Sequence, residues 1–403
     1  MNLNMLKCSE KKRSAIIPFL FFGIIFILNG CASSEDYDVQ AKIDSIGVRL
    51  VPDKREGVYE ITAEVAKDGT IILHGETTVP QAGNEIIKTL GKQGIELIDS
   101  IILLPDTIIN SYCKGLVSLS VINLRKNPDH RSELVSQSIL GTPVLILKSE
   151  NSWVLIQTPD NYIAWTEKSS VNSVTSSQMS EWKRENKVIY KMNSGLVYTS
   201  PDETSVVGDL VAGSILVKRE ELRDHLKVIL PDDREGLVRK KDVTDFDLWK
   251  KAVNCSEENI CTEALTFIGS PYLWGGSSTK AVDCSGFVQS VYFMNGFILS
   301  RDASLQALHG IEVDISDGFS RLKKGDLLFF GSKDTTGVRI THVAIYKGDT
   351  EYIHSSGRVM INSLDSARTN FSVSRLNSLL IAKRIIGSEN DIGIVPVYKH
   401  PWY

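Results

Sequence analysis

The sequence has few of the features that mark several large protein classes. Its formal net charge is only −4 over 403 residues, and no long run of one charge sign occurs, so we expect no nucleic-acid partner. The apolar run Ala15–Leu28 is shorter than the roughly 20 residues that a membrane-spanning helix needs. The six cysteines form no CxxC motif and no Cys/His pair at zinc spacing, so we expect neither a metal nor another cofactor. Function must therefore be inferred from individual sites.

The chain does have the length and composition of a folded protein with several domains. Hydrophobic residues make up 42% of it and charged residues 23%, which is typical of globular domains. A chain of 403 residues is too long for one ordinary core and fits roughly two to four domains.

The N-terminus carries the pattern of an export signal. The basic residues Lys11–Arg13 precede the apolar run Ala15–Leu28, and the chain then turns abruptly polar. This order predicts a signal peptide over residues 1–30, and a buried N-terminal helix is the alternative. The exit Leu28-Asn29-Gly30-Cys31 resembles a bacterial lipobox, in which the cysteine is lipidated and becomes the N-terminus. Because several acyl chains anchor a protein stably, we expect a membrane-anchored lipoprotein held at Cys31, exported to the cell envelope (periplasm or outer membrane).

Composition and turn signals divide the rest of the chain into successive units. The polar residues 31–45 are interpreted as a tether. Alternating strand-like and helix-like runs then predict a small α+β module over residues 46–110. The other predicted boundaries are 116–172 and 186–246 for two repeated units, 253–386 for a final α+β domain and 387–403 for a C-terminal tail.

The two repeated units share their turn residues. Pro128 and Gly141 of the first copy match Pro201 and Gly213 of the second, which is the mark of an internal repeat. Each copy has several short strand-like runs separated by Pro, Gly and Asp turns. This pattern predicts two small β-barrels.

Cys284 is the candidate nucleophile. A loop of glycine, serine and threonine precedes it, and the pattern after Asp283 becomes helical. Cys284 therefore lies at a helix N-terminus, where the backbone N–H groups and the macrodipole favour a thiolate and lower the thiol pKa. A buried structural thiol is the alternative. Of the other cysteines, Cys255 and Cys261 either form a disulfide or stay free.

Two histidines lie on a predicted β-hairpin. His342 is in an apolar strand, and His354 is in the strand that follows the Lys347-Gly348-Asp349 turn. A neutral imidazole on a rigid strand can accept a thiol proton, and a second polar group can fix its tautomer. Either histidine alone is compatible with a structural role, but the two histidines together with a cysteine at a helix start are more specific.

The register of this hairpin decides whether the two histidines meet. A two-residue turn at Gly348-Asp349 would place His342 opposite Ser355 and turn His354 to the other face. A three-residue loop, or a bulge in either strand, would bring both imidazoles to one face. A Cys–His–His site therefore requires an odd loop or a bulge.

Six motifs follow one another in the last domain: YLWGG, DCSGFV, RDASLQ, LKKGDLLFF, THVAIYKGD and YIHSSG. With them, residues 260–386 resemble the NlpC/P60 family of papain-like cell-wall cysteine peptidases, and both repeated units resemble bacterial SH3 domains. The resemblance implies an α+β protein with a papain-like NlpC/P60 catalytic domain preceded by two small SH3-like β-barrels and the small α+β module. It implies that Cys284 attacks the scissile carbonyl and that His342 activates it. It also implies that His354 orients His342 and that Tyr272 helps to stabilise the oxyanion.

The combination with SH3-like domains resembles γ-D-glutamyl-L-diamino acid endopeptidases, which cut peptidoglycan stem peptides between D-Glu and the diamino acid. These enzymes require a free N-terminal L-Ala, and the resemblance implies that Asp283 and Ser285 bind its amine. A helix cap is the alternative role for Asp283. Ser304 is expected to line the pocket, and a residue of the first barrel is expected to close it, with Tyr162 as the first candidate and Trp165 as the second.

The implied partners are stem peptides or murein fragments, bound by a monomer. Two other functions compete with the peptidase. One is a non-catalytic wall-binding lipoprotein that uses only its SH3-like repeats and has no need of the three site residues. The other is a papain-like amidase or acyltransferase.

Overall fold

The computed structural model describes residues 34–91, 97–106, 112–252, 255–335, 337–389 and 391–403. The predicted signal peptide and the predicted lipidation site Cys31 lie outside these residues. Within the described ranges, no helix combines the length and the apolar character that crossing a membrane requires.

The N-terminal module is a small sheet covered by two helices. Its elements are α1 (Ser34–Leu50), β1 (Tyr59–Val65), β2 (Ile71–Thr77), α2 (Ala82–Gly91) and β3 (Leu97–Leu103). Strand β2 pairs antiparallel with β1 and parallel with β3.

The predicted tether over residues 31–45 is wrong from residue 34 onward, because helix α1 starts there. Val39, Ile43 and Ile46 of α1 are buried in one core with Leu73 and Ile86 of the module. The helix therefore belongs to the folded module.

Two seven-stranded barrels follow, and they have the same topology. The first contains β4 (Lys114–Val117), β5 (Val121–Arg125), β6 (Leu134–Ile139), β7 (Pro143–Glu150), β8 (Trp153–Gln157), β9 (Ile163–Glu167) and β10 (Val171–Val174). After α3 (Ser176–Arg184), the second contains β11 (Lys187–Tyr190), β12 (Gly195–Tyr198), β13 (Val206–Leu210), β14 (Ile215–Glu221), β15 (His225–Ile229), β16 (Glu235–Arg239) and β17 (Val243–Asp245). The strand orders are β10-β4-β7-β8-β9-β5-β6 and β17-β11-β14-β15-β16-β12-β13.

This shared topology explains the glycines of the sequence repeat. Gly141 and Gly213 adopt φ angles of 81° and 88°, in the left-handed region that side chains with a Cβ rarely enter. In addition, a Cβ on Gly141 would lie 2.3 Å from the Ile215 carbonyl oxygen of the other barrel. The matched glycines therefore occupy equivalent turns.

The C-terminal domain packs helices against a six-stranded antiparallel sheet. It contains α4 (Phe246–Ala252), α5 (Glu257–Thr266), β18 (Ser277–Ser278), β19 (Ala281–Val282), α6 (Cys284–Met294), β20 (Phe297–Leu299), α7 (Ala303–Gln306), β21 (Ile311–Glu312), β22 (Leu327–Asp334), β23 (Gly337–Gly348), β24 (Glu351–Ser356), β25 (Arg358–Ser363), α8 (Val373–Ser378), β26 (Leu379–Arg384) and β27 (Ile394–Pro396). The sheet order is β21-β26-β22-β23-β24-β25. This architecture confirms the predicted α+β fold class.

Both faces of this sheet are buried, which holds the central strands rigidly. Along β23, Val343 and Ile345 belong to the core that contains Phe287 of α6. The alternating residues Ala344 and Tyr346 belong to a second core on the opposite face. A polar side chain on β23 is thus held on a fixed frame.

The segment 387–403 was predicted as a tail, but the structure makes part of it an element of the fold. Strand β27 pairs antiparallel with β20, with Val395 opposite Ile298. Val397 is buried in a core shared with Trp249. These contacts attach the C-terminus to the catalytic domain and to the helix after the second barrel.

Candidate active site

Cys284 is the first residue of helix α6, as the sequence predicts. The Asp283 side chain caps this helix and accepts a 2.7 Å hydrogen bond from the Gly286 backbone N–H. Gly286 has no room for a side chain, since a Cβ there would lie 2.0 Å from the Gly276 carbonyl oxygen. The glycine of the DCSG motif therefore allows the start of helix α6 to pack closely against the preceding loop.

The Cys284 thiol is buried, and its pKa is therefore higher than the helix start alone would predict. Burial, together with the neighbouring Asp283 carboxylate, raises the pKa of the thiol to about 11. A hydrogen bond with the Val343 backbone acts in the opposite direction. The helix start was expected to lower this pKa, but desolvation is the larger effect. The resting site therefore holds a thiol at neutral pH.

A hydrogen-bonded relay extends from His342 across the neighbouring strands. His342 Nε2 lies 2.8 Å from His354 Nδ1, and His354 Nε2 lies 2.8 Å from the Asn362 side-chain oxygen Oδ1. Asn362 Nδ2 in turn donates to the Asn370 carbonyl oxygen at 2.8 Å. The relay thus continues on β25 beyond the predicted hairpin, and Asn362 is a site residue that the sequence analysis missed.

This relay fixes the tautomer of each imidazole. The oxygen of Asn362 can only accept a hydrogen bond, so His354 Nε2 carries a proton and His354 Nδ1 is an acceptor. His342 Nε2 must then donate to His354, which leaves His342 Nδ1 unprotonated. That nitrogen is the atom that can act as a general base.

Both histidines are held neutral by their surroundings. Burial, with Arg375 and His354 nearby, keeps the pKa of His342 well below its ordinary value. Burial also lowers the pKa of His354 to about 4, although its hydrogen bond to Asn362 acts in the opposite direction. An uncharged imidazole and an uncharged thiol are the protonation states from which a proton can move from sulfur to nitrogen.

The predicted hairpin contains the bulge that the site requires. Gly348 pairs with Glu351 around a two-residue turn, and the register shifts between Tyr346 and Gly348. Both turn residues, Asp349 and Thr350, have positive φ angles of 51° and 65°, as in a type I′ turn. The two-residue alternative located at Gly348-Asp349 is therefore wrong, and the bulged alternative is confirmed.

One cavity of about 730 Å³ brings the candidate catalytic groups together. Its lining includes Cys284, His342 and Tyr272. Burial and the adjacent Cys284 raise the pKa of the Tyr272 phenol to about 12, so its hydroxyl stays protonated and can donate a hydrogen bond. The cavity thus contains a nucleophile, a base and a donor.

Two parts of the chain match known domain families. Residues 269–376 match the NlpC/P60 family, and residues 124–171 match the bacterial dipeptidyl-peptidase SH3 domain. Residues 269–376 are therefore an NlpC/P60 domain, and the first barrel contains the bacterial dipeptidyl-peptidase SH3 domain. Cys284, His342 and His354 all lie within the matched NlpC/P60 range, and the protein is a cysteine peptidase.

Similar proteins agree with this assignment. Dipeptidyl-peptidase 6 of Lysinibacillus sphaericus is 29% identical over 266 residues, which are 62% of this chain and 92% of the relative. A gamma-D-glutamyl-L-lysine dipeptidyl-peptidase of Bacillus cereus is 27% identical over 232 residues, which are 56% of this chain and 68% of the relative. A crystal structure of an NlpC/P60 family protein from Bacillus cereus has the same fold, with a TM-score of 0.59 at 22% identity, covering 67% of this chain and 99% of that one.

In this NlpC/P60 domain, Asp283 has both of its carboxylate oxygens occupied. They accept five hydrogen bonds, from the Gly275 and Gly286 backbones, from the Ser285 hydroxyl and twice from Arg301. The Arg301 side chain is completely buried, so this ion pair is shielded from solvent. The structure therefore shows the capping role of Asp283, and its binding of a substrate amine stays a prediction, as does that of Ser285.

Arg301 also connects the NlpC/P60 domain to the first SH3-like barrel. Its Nε donates to the Ser136 hydroxyl of β6 at 3.0 Å, while its Nη1 donates to the Ser285 hydroxyl at 3.0 Å. The barrel and the helix start that carries the nucleophile are thereby held in one arrangement.

Of the two aromatic residues predicted to close the site from the barrel, only one reaches it. Tyr162 lines the cavity. Trp165 is absent from the cavity lining and is buried instead in a core with Leu104 and Trp153. The second candidate is therefore wrong, because the Trp165 side chain packs against Leu104 of the N-terminal module instead of facing the cavity.

Ser304 lines the cavity as predicted, and it has a neighbour that the sequence analysis missed. Asp302 lines the same wall, and its Oδ2 accepts a 2.7 Å hydrogen bond from Arg55 Nη1. Arg55 Nη1 also donates to the Ser304 hydroxyl at 3.2 Å. These contacts come from the N-terminal module, for which the sequence predicted no chemistry.

The two remaining cysteines of interest are free thiols. Cys255 is half-buried and Cys261 is buried, and they are not joined. Of the two alternatives that the sequence left open, the structure shows the free form.

Proposed function

We propose that this protein is an exported, lipid-anchored peptidase that hydrolyses peptidoglycan stem peptides between D-Glu and the diamino acid. The observation that carries the proposal is the Cys284 thiol in one cavity with His342, whose tautomer is fixed by His354 and Asn362. The substrate class is supported by relatives named as dipeptidyl-peptidases, one of them a gamma-D-glutamyl-L-lysine dipeptidyl-peptidase.

The chemistry begins with a proton transfer. The Cys284 thiol gives its proton to Nδ1 of His342, and the thiolate attacks the carbonyl carbon of the scissile amide. The imidazolium that forms keeps its Nε2–H bond to His354, which in turn stays bonded to Asn362. Because both groups are neutral at rest, the charges appear with the proton transfer itself.

The tetrahedral intermediate needs donors for its oxyanion. The Tyr272 hydroxyl is one donor, since its raised pKa keeps it protonated. The backbone N–H of Cys284 is the second, because the first N–H groups of a helix have no partner inside it. Collapse of the intermediate breaks the C–N bond, and His342 returns the proton to the leaving amine. Water, activated by His342, then hydrolyses the thioester.

A free amino terminus of the substrate would need a carboxylate in this cavity. Three carboxylates line it, those of Glu133, Asp283 and Asp302. Asp283 is saturated by Arg301 and its helix cap, and Glu133 accepts a hydrogen bond from Trp274 at 3.0 Å. Asp302 pairs with Arg55 at the cavity wall, and 28% of its side chain is exposed, against 11% for Asp283. The substrate ammonium is therefore assigned to Asp302 in preference to Asp283.

The cell envelope is the proposed location. The lipobox-like exit places Cys31 only a few residues before α1, which begins at Ser34. A lipid anchor at Cys31 would then hold the N-terminal module next to the membrane surface.

Product analysis tests this function. Purified protein is incubated with the stem tripeptide L-Ala-γ-D-Glu-L-Lys and with its diaminopimelate counterpart, and the products are identified by mass. The expected products are the dipeptide L-Ala-D-Glu and the free diamino acid. Cleavage between L-Ala and D-Glu instead, or no cleavage of either peptide, would contradict the proposal.

A further inference from the structure

The loop between α1 and β1, residues 51–58, reaches from the N-terminal module into the catalytic cavity. Lys54 and Arg55 of this loop line the cavity together with Cys284. The loop is also fixed to the first barrel, because the Ile163 backbone N–H donates to the Arg55 carbonyl oxygen at 2.7 Å. The α1–β1 loop therefore forms one wall of the site.

Arg55 is held in a single orientation by its own neighbour. Asp53 Oδ1 accepts hydrogen bonds from Arg55 Nε at 2.8 Å and from the Arg55 backbone N–H at 2.9 Å. The same carboxylate pairs with Nη2 through Oδ2. This clamp leaves Nη1 to meet Asp302 and Ser304, at 2.7 and 3.2 Å. The guanidinium thus connects the module to the wall of the catalytic domain.

Among the described residues, the Asp302 carboxylate has no hydrogen bond other than the one from Arg55. Asp302 stands at the N-cap position of α7, but its side chain makes no capping hydrogen bond. In the described part of the chain, the hydrogen bond from Arg55 is accepted by Oδ2 of Asp302, which leaves Oδ1 for a ligand. The two ion pairs differ in exposure. The Arg301 side chain that pairs with Asp283 is fully buried, whereas the Arg55 side chain that pairs with Asp302 is 36% exposed.

We propose that Arg55 is a positioning residue that fixes the Asp302 carboxylate for the substrate's ammonium group and closes the amino-terminal end of the cavity. This rests on the proposed function, since the ammonium is that of the stem peptide. Two carboxylates and one guanidinium leave the cluster of Asp53, Arg55 and Asp302 with one net negative charge. A carboxylate ordered before binding loses less freedom when the ligand arrives.

The test compares free and N-acetylated L-Ala-γ-D-Glu-L-Lys as substrates of wild type and Arg55→Ala. With Arg55 removed, we expect KM for the free peptide to rise about tenfold with little change in kcat, because a charge-assisted contact is disordered while the nucleophile is untouched. The ratio of kcat/KM between free and acetylated peptide should fall by about the same factor. Arg49→Ala is the matched control, since Arg49 of the same module forms an exposed ion pair with Glu85.

A second variant keeps the inference testable if Arg55→Ala unfolds. Asp302→Asn should show the same loss of discrimination, and Arg55→Ala should add nothing further in that background. An unchanged ratio in Arg55→Ala, a lowered KM for the free peptide, or equal turnover of both peptides by wild type would each overturn the inference. Failure of wild type to cleave either peptide would overturn the proposed function itself, and the inference with it.

Discussion

His342 and His354 are joined by a 2.8 Å hydrogen bond although they are not directly opposite each other on the hairpin. Tyr346 pairs with Tyr352, and continuing this register places Ala344 opposite His354. His342 is then the diagonal neighbour on the same face, within reach of an imidazole. The bulge before the turn produces this arrangement, because without it the two side chains would point to opposite faces.

Asn362 should matter for rate although it touches neither substrate nor nucleophile. Replacing Asn362 with Ala removes the acceptor that fixes the proton on His354 Nε2, so both imidazoles can adopt the wrong tautomer. We expect kcat to fall about tenfold to a hundredfold, a fraction of the roughly 10²–10⁴-fold that general-base catalysis supplies. Steady-state kinetics on the stem tripeptide measures this, with Asn127→Ala in an exposed turn as control. Unchanged kcat in Asn362→Ala would remove Asn362 from the relay.

The resting state of Cys284 should be visible in its reaction with iodoacetamide. With the thiol pKa raised to about 11, the alkylation rate should increase continuously from pH 6 to pH 9, because only the thiolate reacts. A rate that is already high and constant between pH 5 and pH 8 would instead indicate a preformed thiolate–imidazolium pair. Mass analysis of the labelled peptide separates Cys284 from the other cysteines.

The lowered pKa values of the two histidines set the acid limit of activity. The pKa of His342 lies well below 6.5, so the base stays unprotonated as the pH falls through that value. We therefore expect kcat/KM to be retained between pH 7 and pH 6, after correction for unfolding. A decline with a midpoint near 6.5 would show that His342 titrates as an ordinary histidine.

The Asp283–Arg301 pair should contribute strongly to stability. Asp283→Ala would leave a completely buried guanidinium without its partner and the α6 N-terminus without its cap, which costs about 3–5 kcal/mol for the ion pair. Urea unfolding followed by tryptophan fluorescence measures the loss. Asp209→Ala is the control, because its pair with Lys280 is half exposed and should be worth less than about 1 kcal/mol. Equal effects of the two changes would contradict the assigned role.

The sequence predicted the parts of this site that follow local patterns. The helix start at Cys284 is visible from the apolar spacing after Asp283, and the hairpin from its turn and alternating residues. Asn362 was missed because it lies on the strand beyond the hairpin, where no motif marks it. Helix α1 was mistaken for a tether. Its few apolar residues become buried only through contacts with strands and a helix that come later in the sequence.

The contact between Arg55 and Asp302 could not be predicted from the sequence for a different reason. The two residues are 247 positions apart and lie in separate domains, so no periodicity or spacing connects them. The sequence analysis gave Asp302 no role, and its position in the cavity wall depends on where the N-terminal module is held. Contacts of this kind follow from domain arrangement, which local patterns do not determine.

Whether Cys284 is the nucleophile and His342 its base is tested most directly by single-turnover cleavage of the stem tripeptide, followed by mass. Cys284→Ala and His342→Ala should each reduce the rate by about 10³-fold or more, because the two act as one unit, while thermal unfolding stays close to wild type. His354→Ala should cost less, since it only orients the base. Near wild-type cleavage by Cys284→Ala would contradict the account.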